Sequence, residues 1–120
     1  DNEFKHFINN GTKETGRNLW HWCKKVESLG AGEIIITCID NDGCQSGYNI
    51  EASVSLTEGV NIPIVISGGA GEFEDFYKAL NTKKIDAVCA SSFYLFNKHT
   101  PADVKKFLRQ KDILVRHSYV

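Results

Sequence analysis

The chain has 120 residues, a formal net charge of −1 and 42% hydrophobic residues, a composition that fits one folded domain at most. The balanced charge gives no reason to expect a nucleic-acid partner, and the apolar runs are too short to cross a membrane. The four cysteines form no C-x-x-C pair and have no histidine at ligand spacing, so we expect neither a metal nor a cofactor. Free cysteines also favour a reducing, cytoplasmic location.

In the first half of the chain, a loop, a helix, a strand and a second helix are predicted. Residues 10–16 are polar with two glycines and are predicted to form a loop. Asn18 is predicted to cap a helix with apolar residues at helical spacing, and Gly30 to end it in a left-handed conformation. The segment 33–39 is apolar on both alternations, which predicts a strand covered on both faces. A second helix follows over about 50–58.

The second half repeats the alternation of strand and helix. Strands predicted at 63–67 and 86–90 flank a helix over 72–80, whose first turn is acidic. A short helical turn is predicted at 93–96, and Thr100 is predicted to cap a final helix. Three strands separated by helices predict repeated βα units, and therefore an α/β fold with a parallel sheet.

Polar and glycine residues follow each of the three predicted strands. Residues 40–43 come after the first strand, 67–71 after the second and 91–92 after the third. The carboxyl ends of parallel strands lie at one edge of the sheet, and α/β proteins bind their ligands there. We therefore expect the chemistry of this chain at that edge.

The last two of these segments predict a phosphate site. Glycines let the backbone approach an anion closely, and converging amides beside a helix N-terminus attract negative charge. In (β/α)8 barrels such a cradle follows the last two strands and uses a short extra helix, which the turn at 93–96 would supply. The alternative is a tight turn with close helix packing and no ligand. The residues concerned are Gly68, Gly69, Ser91 and Ser92.

Two acids and one lysine have more than one interpretation. Asp40 and Asp42 could orient a substrate or act as acid or base, but acidic residues also favour turns and helix caps. Lys13 could pair with an anionic ligand or stay solvated. The four histidines stand in no catalytic or metal-binding pattern.

Taken together and in this order, these segments resemble the cyclase subunit of imidazole glycerol phosphate synthase. The resemblance covers nearly the whole chain and implies the C-terminal half of a (β/α)8 barrel, as one partial-barrel domain over 1–120. Residues 1–17 would be the loop that follows the fifth strand, and 18–120 the sixth to eighth βα units. The matching segments are 11–16, 29–37, 39–43, 46–48, 62–71, 90–93 and 104–116.

The resemblance implies a function in histidine biosynthesis. The family cyclises a bis-phosphorylated substrate with ammonia from a glutaminase subunit, and releases imidazole glycerol phosphate and the carboxamide nucleotide AICAR. Asp40 would line the site, and Lys13 would lie on a loop that closes over the substrate. One substrate phosphate would be bound by Asp42, Gly43, Gly68, Gly69, Ser91 and Ser92.

The resemblance also implies that part of the catalytic machinery has no counterpart in this chain. The family's two catalytic aspartates lie at the ends of the first and fifth strands. We therefore expect turnover to depend on self-association or on complementation by an N-terminal half-barrel, since an open sheet leaves its edges and an apolar face unpaired. The alternatives are a paralogue that amidates surface-polysaccharide sugars, and a non-catalytic phosphate-binding module or scaffold for a glutaminase-like partner.

Overall fold

Five strands and five helices make up the part of the chain that the structure describes. The structure is a computed structural model and describes residues 4–117, so the ends of the predicted 1–120 domain lie outside the described residues. No helix in this range is long and apolar enough to cross a membrane. In chain order the elements are β1 (Lys5–Ile8), β2 (Lys13–Asn18), α1 (Leu19–Ser28), β3 (Ile34–Thr37), α2 (Ile50–Thr57), β4 (Ile64–Ser67), α3 (Phe73–Asn81), β5 (Ala87–Cys89), α4 (Ser92–Asn97) and α5 (Pro101–Gln110).

The last three strands form a parallel sheet in the order β3–β4–β5, as the alternation of strand and helix predicts. β3 and β4 pair from Ile34 opposite Ile64 to Thr37 opposite Ser67, and Cys89 of β5 lies on the other side of Ser67. Parallel neighbours need a crossover connection, which α2 and α3 supply. The fold is therefore α/β, and it is compatible with part of a (β/α)8 barrel.

The starts of two helices follow the capping signals in the sequence. Asn18 accepts a hydrogen bond from the amide of His21 at 3.2 Å, at the start of α1. Thr100 and Asp103 form a capping box at the start of α5. Gly30 follows the end of α1 with a φ of 97°. The two N-cap side chains accept hydrogen bonds from backbone amides that have no partner within the helix, and Gly30 allows the left-handed turn that ends α1. The predicted caps at Asn18 and Thr100 and the predicted helix end at Gly30 are therefore confirmed.

The predicted loop over 10–16 is wrong for most of its length, because the chain from Lys13 onward forms β2. β2 pairs antiparallel with β1, with Ile8 opposite Lys13. The side chains of His6 and Thr15 also join the two strands, with Nδ1 and Oγ1 3.0 Å apart. The sequence hides this hairpin because β2 is polar throughout and has no alternation of apolar residues.

One face of the parallel sheet packs against helices, and the other is partly open. Ile34, Ile64 and Ile66 belong to the buried core and are at most 9% exposed. Ile35, one residue along β3, is 61% exposed, and Cys89 at the opposite edge is exposed as well. The expectation that the first predicted strand is covered on both faces is therefore wrong. The described part of the chain covers only one face of this edge strand.

Aromatic side chains hold the helices beside the carboxyl edge of the sheet. Phe76 of α3 and Phe93 of α4 are each 1% exposed, and their ring centroids lie 4.9 Å apart. Burying one such side chain contributes about 2–3 kcal/mol. Phe73 packs edge-on against Phe93 at 5.4 Å. The short helix α4 is thereby fixed to α3.

Candidate functional site

At the carboxyl edge of the sheet, the loop after β3 is hydrogen-bonded to the loop after β4 and to the last residue of β5. The amide of Gly47 donates to the carbonyl of Gly69 at 2.7 Å. The hydroxyl of Tyr48 donates to the carbonyl of Cys89 at 2.9 Å. The loop after β3 is therefore bonded both to the loop after β4 and to the end of β5. We call the loops after β3, β4 and β5 the edge loops, and they comprise residues 38–49, 68–72 and 90–91.

Two glycines of the second edge loop are required by close packing against the first. Gly68 and Gly69 have φ values of 90° and 115°, a region that favours glycine. A Cβ on Gly68 would lie 2.8 Å from the carbonyl oxygen of Cys38, and a Cβ on Gly69 would overlap the carbonyl of Gly47. These distances support the alternative that Gly68 and Gly69 serve a tight turn with close packing. They do not test whether the same turn also binds phosphate.

A carboxylate occupies the N-terminus of α3. Asp75 is 7% exposed, and its Oδ2 accepts hydrogen bonds from the amides of Gly71 at 2.9 Å and Glu72 at 3.0 Å. These two amides are therefore not donors for a ligand, and the negative charge offsets the positive end of the helix. This role was not predicted from the sequence, although an acid at the third helical position is a capping signal.

Ser91 and Ser92 lie where β5 leads into α4. Ser91 is the N-cap residue of α4, but its side chain makes no capping hydrogen bond. Its carbonyl accepts from the amides of Tyr94 and Leu95, each at 3.0 Å. Ser91 is exposed and Ser92 is half-buried. The predicted helical turn at 93–96 is confirmed as part of α4, and the hydroxyl of Ser91 is not used to cap it.

Asp40 and Asp42 are both exposed in the first edge loop. The amide of Asp42 donates to the carbonyl of Cys38 at 3.0 Å, and the thiol of Cys44 lies 3.4 Å from the carbonyl of Asp40. The Cβ of Asp42 would lie 3.3 Å from a Cβ on Gly68. The structure thus brings Asp42 beside the glycine turn, and the same backbone bonds fit the turn interpretation of both acids.

Asn41, which the sequence analysis did not single out, connects parts of the first edge loop. Its Oδ1 accepts from the thiol of Cys38 at 3.0 Å, and its Nδ2 donates to the carbonyl of Gly47 at 3.0 Å. Asparagine between a strand and a helix is a turn signal, which could have drawn attention to it. Gly43 lies nearby with a φ of 77° and open space around its Cα.

Lys13 lies on the hairpin that β1 and β2 form, and it is exposed at the start of β2. The tip of the hairpin reaches the first edge loop, where a Cβ on Gly11 would lie 2.9 Å from Cδ1 of Ile39. A cleft of about 760 Å³ between the hairpin and β3 is lined by Gly11, Trp22, Ile39 and Asp42, among others, and Lys13 does not line it.

A row of polar side chains ends the three parallel strands. Thr37, Ser67 and Cys89 lie opposite one another in register. Alternation places them on the same face as the exposed Ile35, the open face of the sheet. Thr37 and Ser67 were not predicted as site residues, although a polar residue at the end of an apolar run marks the carboxyl end of a strand. Within residues 4–117 no three His, Cys, Asp or Glu side chains are placed to hold a metal ion.

Comparison with known proteins places the chain in a family. A family model described as a histidine biosynthesis protein matches residues 1–100. Imidazole glycerol phosphate synthase subunit HisF from Dehalococcoides mccartyi strain BAV1 is 42% identical over 115 residues, which cover 96% of this chain and 46% of that relative. The same subunit from strain CBDB1 gives the same identity and coverage. The chain thus spans about half the length of the curated relatives it matches, and it belongs to the histidine biosynthesis protein family.

Proposed function

We propose that this chain forms the C-terminal, phosphate-binding part of the cyclase subunit of imidazole glycerol phosphate synthase. In this proposal, glutamine-derived ammonia closes the imidazole ring of a bis-phosphorylated substrate, and imidazole glycerol phosphate and AICAR are released. The proposal is supported by the family match and by relatives that carry the name of this subunit. Because those relatives are named for the histidine enzyme, we prefer this branch to the sugar-amidating one.

The observation that carries the proposal is the convergence of the edge loops at the carboxyl edge of a parallel sheet. Asp42 lies beside Gly68, and Ser67 lies opposite Cys89, so the glycine turn and the two serines leave neighbouring strands. We propose that one phosphate of the substrate binds between them. Since Asp75 already accepts from the amides of Gly71 and Glu72, just before α3, the donors would be Gly43, Gly69 and the hydroxyls of Ser91 and Ser92.

The rest of the site would come from outside this chain. β3 and β5 are both edges of the parallel sheet, and each borders a cleft. The cleft beside β5 measures about 820 Å³ and is lined by Ala87, Val88 and Leu114, among others. Unpaired strand edges favour the addition of further strands. We propose that an N-terminal half-barrel, or a second copy of this chain, pairs there, and that a glutaminase subunit supplies the ammonia.

The test is isothermal titration of the purified chain with inorganic phosphate and with a bis-phosphorylated ribulosyl analogue. Ser91→Asp is the informative variant, since aspartate is also a good N-cap residue and should preserve α4 while it repels a phosphate. Ser55→Asp, at an exposed position of α2, is the matched control. We expect binding by the unchanged chain and the control, and a loss of at least about tenfold in Ser91→Asp.

Two other results would change the conclusion. A folded chain that binds neither ligand, alone or with an N-terminal half-barrel, would contradict phosphate binding at the edge loops. Binding of phosphate without turnover after complementation and addition of ammonia would favour the non-catalytic phosphate-binding module instead.

A further inference from the structure

Tyr48 connects the first edge loop to the end of β5, across the end of the central strand. It lies in the first edge loop, 41 residues before its partner, and its hydroxyl donates to the carbonyl of Cys89 at 2.9 Å. Cys89 is the last residue of β5, and Ser91 and Ser92 follow it within three positions. The bond therefore fixes the start of the serine segment relative to the loop that carries Asp42.

The side chain of Tyr48 is held at both ends. It is 8% exposed, and its ring packs edge-on against Phe76 with centroids 5.9 Å apart. Phe76 in turn contacts Phe93 of α4 at 4.9 Å. Burial raises the pKa of the Tyr48 hydroxyl far above its usual range, and the nearby Tyr94 and other ionisable groups raise it further. The hydroxyl thus keeps its proton and stays a donor at every pH at which the protein is studied.

The residue before Tyr48 makes the matching contact with the middle loop. The amide of Gly47 donates to the carbonyl of Gly69 at 2.7 Å, and the carbonyl of Gly47 accepts from Nδ2 of Asn41. Two consecutive residues of the first edge loop therefore bond to the second edge loop and to the end of β5. A phosphate that takes donors from all three segments needs their spacing fixed before it binds, because ordering them on binding would lower the affinity.

We propose that Tyr48 is a positioning residue for the phosphate site, which it serves through the carbonyl of Cys89 without contacting the ligand. This inference rests on the proposed function and adds to it the group that sets the distance between Ser92 and Asp42. This role depends on the hydroxyl of Tyr48, because the ring contact with Phe76 alone would not fix the position of the serine segment. Tyr48→Phe removes this atom and keeps the ring contact with Phe76.

The experiment compares the dissociation constant for inorganic phosphate in the full chain and in Tyr48→Phe. Loss of one buried hydrogen bond should weaken binding by about threefold to tenfold. Tyr77→Phe is the matched control, since Tyr77 is a half-buried tyrosine on α3 whose ring lies below Lys111 and outside the edge loops. The control should bind phosphate as the unchanged chain does. Thermal midpoints are measured alongside, because a purely structural role would change the midpoint and leave the affinity of the folded form unchanged.

Each outcome bears on one of the two proposals. If the unchanged chain binds phosphate and Tyr48→Phe binds it equally well, the positioning role is overturned and the proposed function stands. If the folded, unchanged chain binds no phosphate, alone or with an N-terminal half-barrel, both are overturned. Should Tyr48→Phe fail to fold, the unchanged chain is labelled on tyrosine and titrated with phosphate by NMR. The role then requires the Tyr48 ring signals to shift with the same midpoint as the Ser92 amide, and an unmoved ring would overturn it.

Discussion

The edge loops and the N-terminal hairpin are both polar and both contain glycine, yet they are held in different ways. The edge loops are joined to one another and to β5 by contacts between residues far apart in sequence, such as the bond of Tyr48 to Cys89 and the backbone packing of Gly69 against Gly47. The hairpin is joined by contacts between its own strands, such as the ion pair of Lys5 and Glu14 at 3.1 Å. A change in an edge loop should therefore affect the whole fold, whereas a change in the hairpin should remain local.

The largest effect is expected for Gly69→Ala. The new methyl group meets the carbonyl of Gly47, and the φ of 115° is strained for alanine, so we expect a loss of at least about 2 kcal/mol in the free energy of unfolding. Gly16→Ala in the hairpin is the comparison, since Gly16 has a φ of 70° and nothing within 4 Å. It should cost about 1 kcal/mol. Urea unfolding of both variants checks the difference, and equal losses would contradict the contrast between the two regions.

Asp75→Ala should give the next largest effect. The substitution leaves the part-buried amides of Gly71 and Glu72 without their acceptor, which should cost about 1–2 kcal/mol. Glu74→Ala, one position earlier, removes a half-exposed partner of Lys111 at 3.5 Å and should cost about 0.5 kcal/mol. The midpoints of urea unfolding measure both. An Asp75→Ala variant as stable as Glu74→Ala would mean that the cap of α3 contributes nothing.

Thr15→Val should affect the hairpin alone. It removes the contact with Nδ1 of His6 and the bond from the Thr15 hydroxyl to the carbonyl of His6, each 3.0 Å long. We expect a change of about 0.5 kcal/mol in global stability, but faster hydrogen exchange at the amides of β1 and β2. Exchange measured by mass spectrometry checks this. Faster exchange in β3 and β4 as well would show that the hairpin is coupled to the sheet.

The smallest effect is expected for the pH dependence of stability at α5, which belongs to neither the edge loops nor the hairpin. Hydrogen bonds from the side chain and the backbone amide of Thr100 hold the pKa of Asp103 below its ordinary value of 3.8. A carboxyl group with a lowered pKa in the folded state contributes stability above its unfolded pKa and loses it as the pH falls through the folded pKa. Asp103→Asn should therefore lower the thermal midpoint at neutral pH and make little difference at about pH 2. A deficit that is equal at both pH values would contradict this assignment.

The sequence predicted the βα units well because each has a local signal. Asn18 and Thr100 are good N-cap residues, and the runs at β3 and β4 are too short and too β-branched for helices. The hairpin was missed because the residues of β2 are polar, and its pairing depends on β1 rather than on its own pattern. Local sequence patterns thus locate most helices and strands, but they do not reveal a strand such as β2 that forms through pairing with a neighbouring strand.

The sequence predicts where the candidate site lies in the fold, but not the contacts that hold its loops together. The order of the chain places Asp42, Gly69 and Ser92 at one edge of the sheet, because parallel strands share their carboxyl end. The contact of Tyr48 with Cys89 was not predictable, since its partner lies 41 residues away in the sequence. The exposure of Ile35 could not be predicted either, because an apolar sequence does not show whether both faces of the strand are covered by residues of the same chain.

The most direct test of the account is an NMR titration of the ¹⁵N-labelled chain with inorganic phosphate. The account predicts amide shifts at Gly43, Gly69, Ser91 and Ser92 with one common midpoint, and little change in β1 and β2. Shifts confined to the amides of the hairpin, or spread over the exposed lysines with no saturation, would contradict the claim that the edge loops form a phosphate site.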